Sequence, residues 1–394
     1  MNDRCFPQQA LPHCNIAAVA GSAPPVLVGS PFCRVQGFGR NHPLAIPRVA
    51  TVLRLCEELG WVDASSMRDA PTADLASLVR FHDPEYVAAL RDADAAGQVT
   101  AAVRERFGFG TLENPLFPGV FARAATAVGG SMLAAELALE GRVVFHPAGG
   151  THHGRPGRAS GFCYFNDPVF AVITLLERGV QRVLYVDLDA HHGDGVQDAF
   201  AGNRSVLTVS VHEADRWPHS GTADDAGGGN AINLPVPAGF NDSELEFLLD
   251  RVVLPAADAF APQVAVITCG TDALAGDPLS RMALSNGALW GAVQRIVAAV
   301  GPTVVLGGGG YNPWTLARCW TGLWGRLSGR EIPATLPPAA QRILAGLHCD
   351  LVDEEDVRAE WLTTLSDSPN VGEVRADVLN LVAAHERRRL HELA

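Results

Sequence analysis

The strongest constraint on the fold is an alternation of short apolar runs with longer segments of helical length. The apolar runs are rich in Val, Ile and Leu and have strand length, and they span residues 142–150, 182–189, 205–211, 263–268 and 303–308. The helical segments, with Gly or Pro at their joins, span residues 45–60, 120–141, 167–179, 243–260 and 284–301. Buried strands that alternate with helices predict an α/β fold, in which a mostly parallel, multi-stranded sheet carries helices on both faces.

The domain organisation follows from length and pattern. The 394 residues, 47% of them hydrophobic, supply enough apolar material for one large domain, and no internal repeat or long linker divides them. We predict a flexible tail at 1–25, one folded domain over 26–340, and a helical, solvent-exposed extension at 341–394. Two details are also expected: a break in the second helical segment at Gly129 and Gly130, and Asp167 as the N-cap of the third.

Composition argues against several classes of function. The formal net charge of −13 disfavours a surface that neutralises phosphates, so direct binding to nucleic acid is not expected. No run approaches the about 18 to 20 apolar residues of a membrane helix, and the N-terminal residues lack the basic start of a signal peptide. The eight cysteines include no C-x-x-C pair, which is typical of a reduced chain. We expect a soluble cytoplasmic protein, and the sequence leaves homo-oligomerisation open.

Polar residues interrupt the apolar run VLYVDLDAHHGDG at 183–195. Side chains alternate along a strand, so Asp187, Asp189 and His191 project to one side if the extended backbone continues past Asp189. Two carboxylates buried together are unfavourable unless cations or strong donors compensate them. A bound metal ion would compensate them, and a structural Asp–His hydrogen-bond network at a loop is the alternative.

Three other predicted strands also end in polar or glycine-rich sequence. Their polar residues are Asp272, the pair His152 and His153, and Tyr311. Glycines flank the histidine pair, and four glycines precede the tyrosine, so the backbone can come close to a ligand at both places. In parallel sheets ligands bind beyond the carboxyl ends of the strands, where all these residues are expected.

Asp189, His191 and Asp272 form a candidate set of three metal ligands. Two carboxylates and one imidazole leave open positions on zinc, as catalytic sites require. The histidine pair has the alternative of capping or hydrogen-bonding a loop without a catalytic role. The alternative for the four glycines is a turn that holds phosphate. The chain has no G-x-x-x-x-G-K-[ST], G-x-S-x-G or H-E-x-x-H motif and no convincing G-x-G-x-x-G after a strand, so nucleotide binding and serine hydrolysis lack their usual support.

Four motifs, in their order and spacing, resemble the zinc-dependent histone deacetylase family. They are GGTHHGRPGRASGFCYFND (149–167), VLYVDLDAHHGDGVQDAF (183–200), CGTDALAGDPL (269–279) and LGGGGYN (306–312). The segments 39–49 and 108–121 are similar to the class I branch and to its bacterial acetoin-utilisation deacetylases. The resemblance covers residues 38–325 and implies the single-domain arginase/deacetylase-like α/β fold.

The resemblance implies two bound metal ions. Asp189, His191 and Asp272 correspond to the zinc ligands, and Fe²⁺ is the alternative metal in cells. A structural potassium ion corresponds to a second set, which is Asp187, Asp189, the main chain of His191, Ser210 and the main chain of Val211.

The resemblance also implies catalytic and substrate-binding residues. The catalytic residues are His152 and His153, oriented by Asp187 and Asp194, and Tyr311, whose hydroxyl bonds the substrate carbonyl. His153 would remove a proton and return it to the leaving amine, while His152 would stabilise charge. The substrate-binding residues are Phe162 and Gly161, Glu113 at the rim, Trp217 on the opposite wall, Leu279 and Gly309.

The implied function is hydrolysis of the acetyl-lysine amide in proteins, which releases acetate. Hydrolysis of a small acetylated amine, such as an acetylpolyamine, by the same residues is the alternative. A catalytically silent module that binds acyl groups is a third hypothesis, but the complete sets of metal ligands, histidines and tyrosine argue against it. The expected partner is therefore an acetylated protein or a small acetylated amine.

Overall fold

The computed structural model describes residues 23–30, 38–39 and 42–392, with side chains through residue 388. Most of the predicted tail at 1–25 lies outside the described residues. Eight strands form one sheet in the described part, and every neighbouring pair is parallel, in the order β2-β1-β3-β8-β7-β4-β5-β6. The strands are β1 Val26–Gly29, β2 Met67–Asp69, β3 Val143–His146, β4 Val183–Asp187, β5 Val206–Glu213, β6 Ala231–Val236, β7 Val264–Thr268 and β8 Thr303–Leu306.

The sequence does not predict the two edge strands, β2 and β6. β2 is only three residues long, and β6 contains Pro235. Proline cannot donate to a strand ladder and is therefore confined to edges, bulges or strand starts. Edge strands also need less apolar sequence, so neither strand shows the continuous run that identifies the central ones.

Fourteen α-helices surround the sheet in the described residues, and none of them has both the length and the apolar character of a membrane span. They are α1 Arg48–Glu58, α2 Leu75–Leu78, α3 Pro84–Ala96, α4 Ala101–Phe107, α5 Val120–Ala138, α6 Asp167–Glu177, α7 Asp194–Ala199, α8 Asp242–Leu248, α9 Leu254–Phe260, α10 Asn286–Val300, α11 Pro313–Leu327, α12 Pro338–Ala345, α13 Ala359–Thr363 and α14 Ala376–Glu392. A π-helical turn, Leu249–Val253, joins α8 to α9 just before Pro255. Because Pro255 has no N–H for the regular helical bond, the helix predicted over 243–260 is divided here.

Alternate side chains of each central strand pack on opposite faces of the sheet. In β4, Leu184 and Val186 belong to an apolar cluster that includes buried residues of α1, α10 and α11. Val183 and Tyr185 belong to a second cluster, with buried residues of α5 and α6. Helices therefore cover both faces, and the central strands are buried on both sides as their apolar runs predict.

The helix α5 is continuous, although its two glycines predict a break. A Cβ on Gly129 would lie 2.0 Å from the Pro71 carbonyl oxygen, and one on Gly130 would lie 2.4 Å from the His146 ring. The prediction is wrong because these glycines let the helix pack closely against its neighbours rather than end it.

The C-terminal segment packs onto the domain. Trp361 and Val382 are buried in the same apolar cluster as α11. Arg318 of α11 donates to the carbonyl oxygens of Thr364 at 2.6 Å and Ser366 at 3.0 Å. The expectation of a solvent-exposed extension is wrong because apolar residues spaced through this charged segment complete the core.

Candidate active site

Asp189, His191 and Asp272 come together at the carboxyl ends of two neighbouring strands. Asp189 and His191 follow β4, and Asp272 follows β7, which pairs with β4. One ligand atom of each residue lies within 4.8 Å of the other two, and all three residues are buried. The Nδ1 atom of His191 lies 2.9 Å from Asp272 Oδ2 and 3.1 Å from Asp189 Oδ1.

Main-chain groups hold the two carboxylates in place. The N–H of Gly309 donates to Asp189 Oδ2 at 2.5 Å, and that of Ala190 donates to Asp272 Oδ1 at 3.0 Å. A Cβ on Gly309 would lie 2.1 Å from Asp272 Oδ2, so this close approach requires glycine. The family resemblance implies a substrate-binding role for Gly309, which stays a prediction, and the structure places its N–H against the candidate metal ligand Asp189.

The three side chains fit a divalent cation. Burial, together with the charge of Asp189, raises the pKa of Asp272. Burial also opposes ionisation of Asp189, but His152 and His191 hold the pKa of that carboxyl below its usual range. Two buried carboxylates and one imidazole are the donors of a catalytic zinc site, with a position left for water or substrate.

His152 and His153 each bond to a different carboxylate. The Nδ1 atom of His152 lies 2.7 Å from Asp187 Oδ2, and that of His153 lies 2.7 Å from Asp194 Oδ1. The two ring centroids are 3.9 Å apart. The structure thus brings together the four residues to which the family resemblance gives these pairings.

The surroundings give the two histidines different protonation states. Burial lowers the pKa of His153 to about 3, and the charge of His152 acts in the same direction. Burial also acts to lower the pKa of His152, but the carboxylates of Asp187 and Asp189 outweigh it and raise that pKa to about 9. His153 is therefore the neutral imidazole of the pair near pH 7, the form that accepts a proton.

Residues at the start of α6 hold the loop that carries the tandem histidines. The Nδ2 group of Asn166 donates to the carbonyl oxygens of His152 at 3.1 Å and Gly154 at 2.9 Å. The Asp167 carboxylate accepts from the N–H of Thr151 at 2.7 Å. The N-cap of α6 is Asn166, not Asp167 as predicted, because the Asp167 carboxylate is used by this loop.

Sequence reasoning misses two side chains that support the same loop. His82 is buried; its Nε2 accepts from the N–H of Asn166 at 3.1 Å, and its Nδ1 donates to the carbonyl of Arg155 at 3.0 Å. The guanidinium of Arg155 bonds to the Asp194 carboxylate on the oxygen that does not bond to a histidine. Arg155 lies within a recognised motif and could have been found there, whereas nothing near His82 in the sequence points to the site.

Tyr311 follows the four glycines after β8 and is buried. Its N–H donates to Asp277 Oδ2 at 2.7 Å, and its ring centroid lies 5.9 Å from that of Phe162. Burial raises the pKa of the phenol well above its usual value, so the hydroxyl keeps its proton. The partly buried guanidinium of Arg48, which the sequence did not single out, bonds to the carbonyl of Gly308 in the same glycine loop.

One cavity of about 940 Å³ reaches His153, His191 and Tyr311. The Trp217 ring centroid lies 4.6 Å from that of His153, and Glu113 Oε1 accepts from the N–H of Gly161 at 2.8 Å. The cavity is also lined by five residues to which the family resemblance gives a substrate-binding role, which are Phe162, Gly161, Glu113, Trp217 and Leu279. The cavity therefore leads from an aromatic and partly charged mouth to His191, one of the three candidate metal ligands.

The residues assigned to a potassium ion lie where β4 and β5 pair. Asp187 is in register with Ser210, and Val211 follows on the same strand. Asp187 Oδ2 accepts from the Tyr185 hydroxyl at 2.6 Å, and Ser210 Oγ lies 2.9 Å from a ring nitrogen of His212. The structure thus places Asp187 and Ser210, two of the residues assigned to the potassium ion, on neighbouring strands. The ion itself stays a prediction.

Comparison with known proteins gives consistent matches. Residues 42–327 match the family described as the histone deacetylase domain. The chain is 35% identical over 308 residues to Histone deacetylase 1 of Oryza sativa subsp. japonica. This alignment covers 76% of this chain and 59% of that protein. It is 32% identical over 329 residues to the acetoin utilization protein AcuC of Bacillus subtilis (strain 168). This alignment covers 79% of this chain and 84% of that protein.

A solved structure shows the same fold. The crystal structure of an HDAC homolog from Aquifex aeolicus matches with a TM-score of 0.88 and 36% sequence identity, over 92% of this chain and 99% of that chain. The predicted deacetylase-like α/β class is therefore confirmed, with a sheet that is fully parallel in the described residues. The chain belongs to the histone deacetylase family, and its relatives include the bacterial protein AcuC.

Proposed function

We propose that this protein is a zinc-dependent deacetylase, which hydrolyses the amide of acetyl-lysine side chains in proteins to free lysine and acetate. The observation that carries the proposal is the single cavity that joins His153, the metal ligand His191 and Tyr311. A neutral imidazole, a metal ligand and a phenol are the groups that hydrolysis of an unactivated amide needs. Membership in the deacetylase family supports the same reaction.

Asp189, His191 and Asp272 would hold the catalytic cation. Their donors suit Zn²⁺, with Fe²⁺ as the alternative in cells. Such a cation, when bound, polarises an amide carbonyl and lowers the pKa of the attacking water. Asp187, Asp189 and Ser210, with main-chain groups of His191 and Val211, would hold a structural potassium ion.

His153 is placed to move protons. Its Nδ1 atom is bonded to Asp194, which leaves Nε2 as the nitrogen for proton transfer. The low pKa keeps the imidazole neutral near pH 7, and its unprotonated nitrogen can accept a proton from the attacking water and return it to the amine that leaves. His152, whose pKa is raised, would stay charged and stabilise the negative charge that develops on the reacting amide.

Tyr311 and the cavity walls would position the substrate. The protonated Tyr311 hydroxyl can donate to the developing oxyanion, a contact that contributes about 3 kcal/mol in comparable sites. Phe162 and Trp217 offer aromatic surface to the methylene chain of acyl-lysine. Glu113 is exposed at the mouth, where its carboxylate can accept a main-chain N–H of the substrate.

Hydrolysis of small acetylated amines is the second candidate. The carboxylates of Glu113, Asp215 and Asp377 line the cavity and would attract a cationic polyamine. The volume of about 940 Å³ lies near the top of the range for small-molecule sites, about 300 to 1,000 Å³. A cavity of this size can accept a small acetylated amine as well as the acetyl-lysine side chain of a polypeptide, so turnover has to separate the two candidates.

The proposal is tested with purified zinc-loaded protein and an acetyl-lysine peptide. We expect Tyr311→Phe and His153→Ala each to lower kcat/KM about a hundredfold or more while the protein still folds, because each removes a group that acts on the reacting atoms. His348→Ala changes an exposed histidine of the C-terminal segment, and this control is expected to keep its activity. Chelation of the metal is expected to abolish turnover, and zinc is expected to restore it.

Two results would contradict the proposal. Comparable turnover by the wild type and both variants would remove the mechanism. A higher kcat/KM for acetylated diamines than for any peptide would favour the second candidate function.

A further inference from the structure

The mouth of the cavity carries an arginine that the proposed mechanism does not use. Arg281 lies two residues after Leu279, and both residues line the cavity. The Arg281 side chain is 78% exposed. Its guanidinium therefore lies where groups that flank the acyl-lysine of a substrate would pass.

The backbone of Arg281 is fixed independently of its side chain. Its N–H donates to Glu213 Oε2 at 2.8 Å, and its carbonyl oxygen accepts from the N–H of Gly239 at 2.6 Å. The position of this loop therefore does not depend on the guanidinium. Substitution of the side chain is expected to leave the loop in place.

The carboxylate nearest to Arg281 already has another counter-ion. Arg216 donates to both oxygens of Glu213, at 2.5 and 2.9 Å, whereas Arg281 Nε lies 3.6 Å from Glu213 Oε1. Glu213 is buried, with 2% of its side chain exposed, so it needs Arg216 as a close partner. Within this cluster of Glu213, Arg216 and Arg281, one carboxylate faces two guanidiniums, so the three side chains together carry one net positive charge.

The positive cluster is attached to the wall of the cavity. The Nη1 group of Arg216 donates to the Leu279 carbonyl at 2.7 Å. Asp215 and Asp377 also line the cavity, so its lining carries charges of both signs. Because charges more than about 8 Å apart are largely screened at physiological ionic strength, a flanking group of the substrate responds mainly to the charge next to it.

We propose that Arg281 forms a carboxylate-binding subsite at the mouth, which selects acetyl-lysine that has a carboxylate beside it. The carboxylate is either the side chain of a neighbouring Asp or Glu or the free α-carboxylate of acetyl-lysine. This inference rests on the proposed function and names the substrate class of that site. A guanidinium matches a carboxylate with two parallel N–H···O bonds. The exposed location sets the expected gain at about two- to fivefold in kcat/KM.

Substrates that differ only beside the acetyl-lysine test the subsite. In peptides with blocked ends, each flanking position is made Asp, Asn or Lys in turn, and acetyl-lysine with a free carboxylate is compared with its carboxamide. The wild type is expected to prefer the carboxylate at one position by about two- to fivefold, mainly through KM. The preference is expected to shrink in about 0.5 M salt, which screens exposed charges.

Variants of Arg281 assign the preference to this side chain. Arg281→Gln is expected to abolish it, Arg281→Glu to invert it in favour of Lys, and Arg281→Lys to keep part of it. Glu213 keeps Arg216 as its partner in each variant, and equal melting temperatures check that the fold is intact. Arg54→Gln is the matched control, because Arg54 is an exposed arginine of α1 in a separate surface groove.

Each outcome bears on one of the two proposals. A preference for Asp alone supports side-chain recognition, and a preference for the free α-carboxylate alone supports recognition of the amino acid itself. Turnover without a carboxylate preference, a wild-type preference for Lys, or a preference that survives in Arg281→Gln would overturn the subsite and leave the proposed function intact. Absence of turnover on every substrate would overturn the proposed function, and the subsite with it.

Discussion

Burial keeps His82 neutral, and its hydrogen bonds fit the neutral form. Both ring nitrogens of His82 are satisfied in the neutral form, one as a donor to the Arg155 carbonyl and one as an acceptor from the N–H of Asn166. A second proton, on Nε2 of His82, would point at the N–H of Asn166, and the hydrogen bond between them would be lost. Burial lowers the pKa of His82 to about 4.

Stability is therefore expected to fall in mild acid. The unfolded chain protonates His82 near pH 6.5 and the folded chain near pH 4, so between these values the unfolded state binds more protons. The stabilising contribution is fully present above about pH 6.5 and is lost as the pH falls toward 4, by about 2 kcal/mol at pH 5. Urea denaturation of the wild type and His82→Gln at pH 7.5 and 5 measures it. The wild type should lose about 2 kcal/mol more than the variant, and parallel losses would contradict the assignment.

Residue types at the site were easier to predict than residue partners. Asp189, His191 and Asp272 stand out because they interrupt or follow apolar runs in which charge is unfavourable. The support from His82 to Asn166 joins residues 84 positions apart, and no local pattern marks it. Such pairings depend on how the loops pack, which a single sequence does not reveal.

Among the elements, strands buried on both faces were predictable, and the continuity of α5 through its two glycines was not. β3, β4, β7 and β8 read as continuous apolar runs because helices cover both of their faces. Helix propensity alone makes Gly129 look like a break, but tertiary packing decides its role. Gly291 of α10 is the contrasting case, since a Cβ there would meet no atom within 4 Å.

The two glycines are expected to respond oppositely to alanine. Alanine favours a helix over glycine by about 1 kcal/mol, and at Gly291 this gain should raise the free energy of unfolding by about 0.5 to 1 kcal/mol. At Gly129 the new methyl group would overlap the Pro71 carbonyl, and overpacking of this kind costs about 1 to 3 kcal/mol. Urea denaturation of the two variants measures both effects. Changes of the same sign would show that packing at α5 is looser than described.

At the scale of the whole molecule, the charged C-terminal segment belongs to the main core. Trp361 stacks on Trp314 of α11 with ring centroids 6.3 Å apart, and the buried Arg318 donates to Asp367 at 2.6 Å. Composition predicted solvent exposure because charged residues outnumber the apolar ones that make these contacts. A few well-spaced apolar side chains were enough to reverse that expectation.

Trp361→Ala is therefore expected to destabilise the entire domain. Loss of a buried tryptophan side chain should lower the free energy of unfolding by about 3 kcal/mol or more. Fluorescence and loss of deacetylase activity, followed together in urea, should both shift to lower concentration. Val371→Ala, at a residue that is 73% exposed, is the control and should change stability by less than about 0.5 kcal/mol. An unchanged activity midpoint in Trp361→Ala would mean that the segment folds apart from the domain.

The last strand to be synthesised occupies a central place in the sheet. β8 lies between β3 and β7, so the two halves of the sheet share no ladder until residues 303–306 have been made. The glycine loop that follows it supplies the N–H of Gly309 to Asp189. A chain emerging from the ribosome thus adds the Gly309 N–H and Tyr311 to the candidate metal site only after most of the domain has been translated, whereas Asp189 and Asp272 can come together earlier, when β7 pairs with β4.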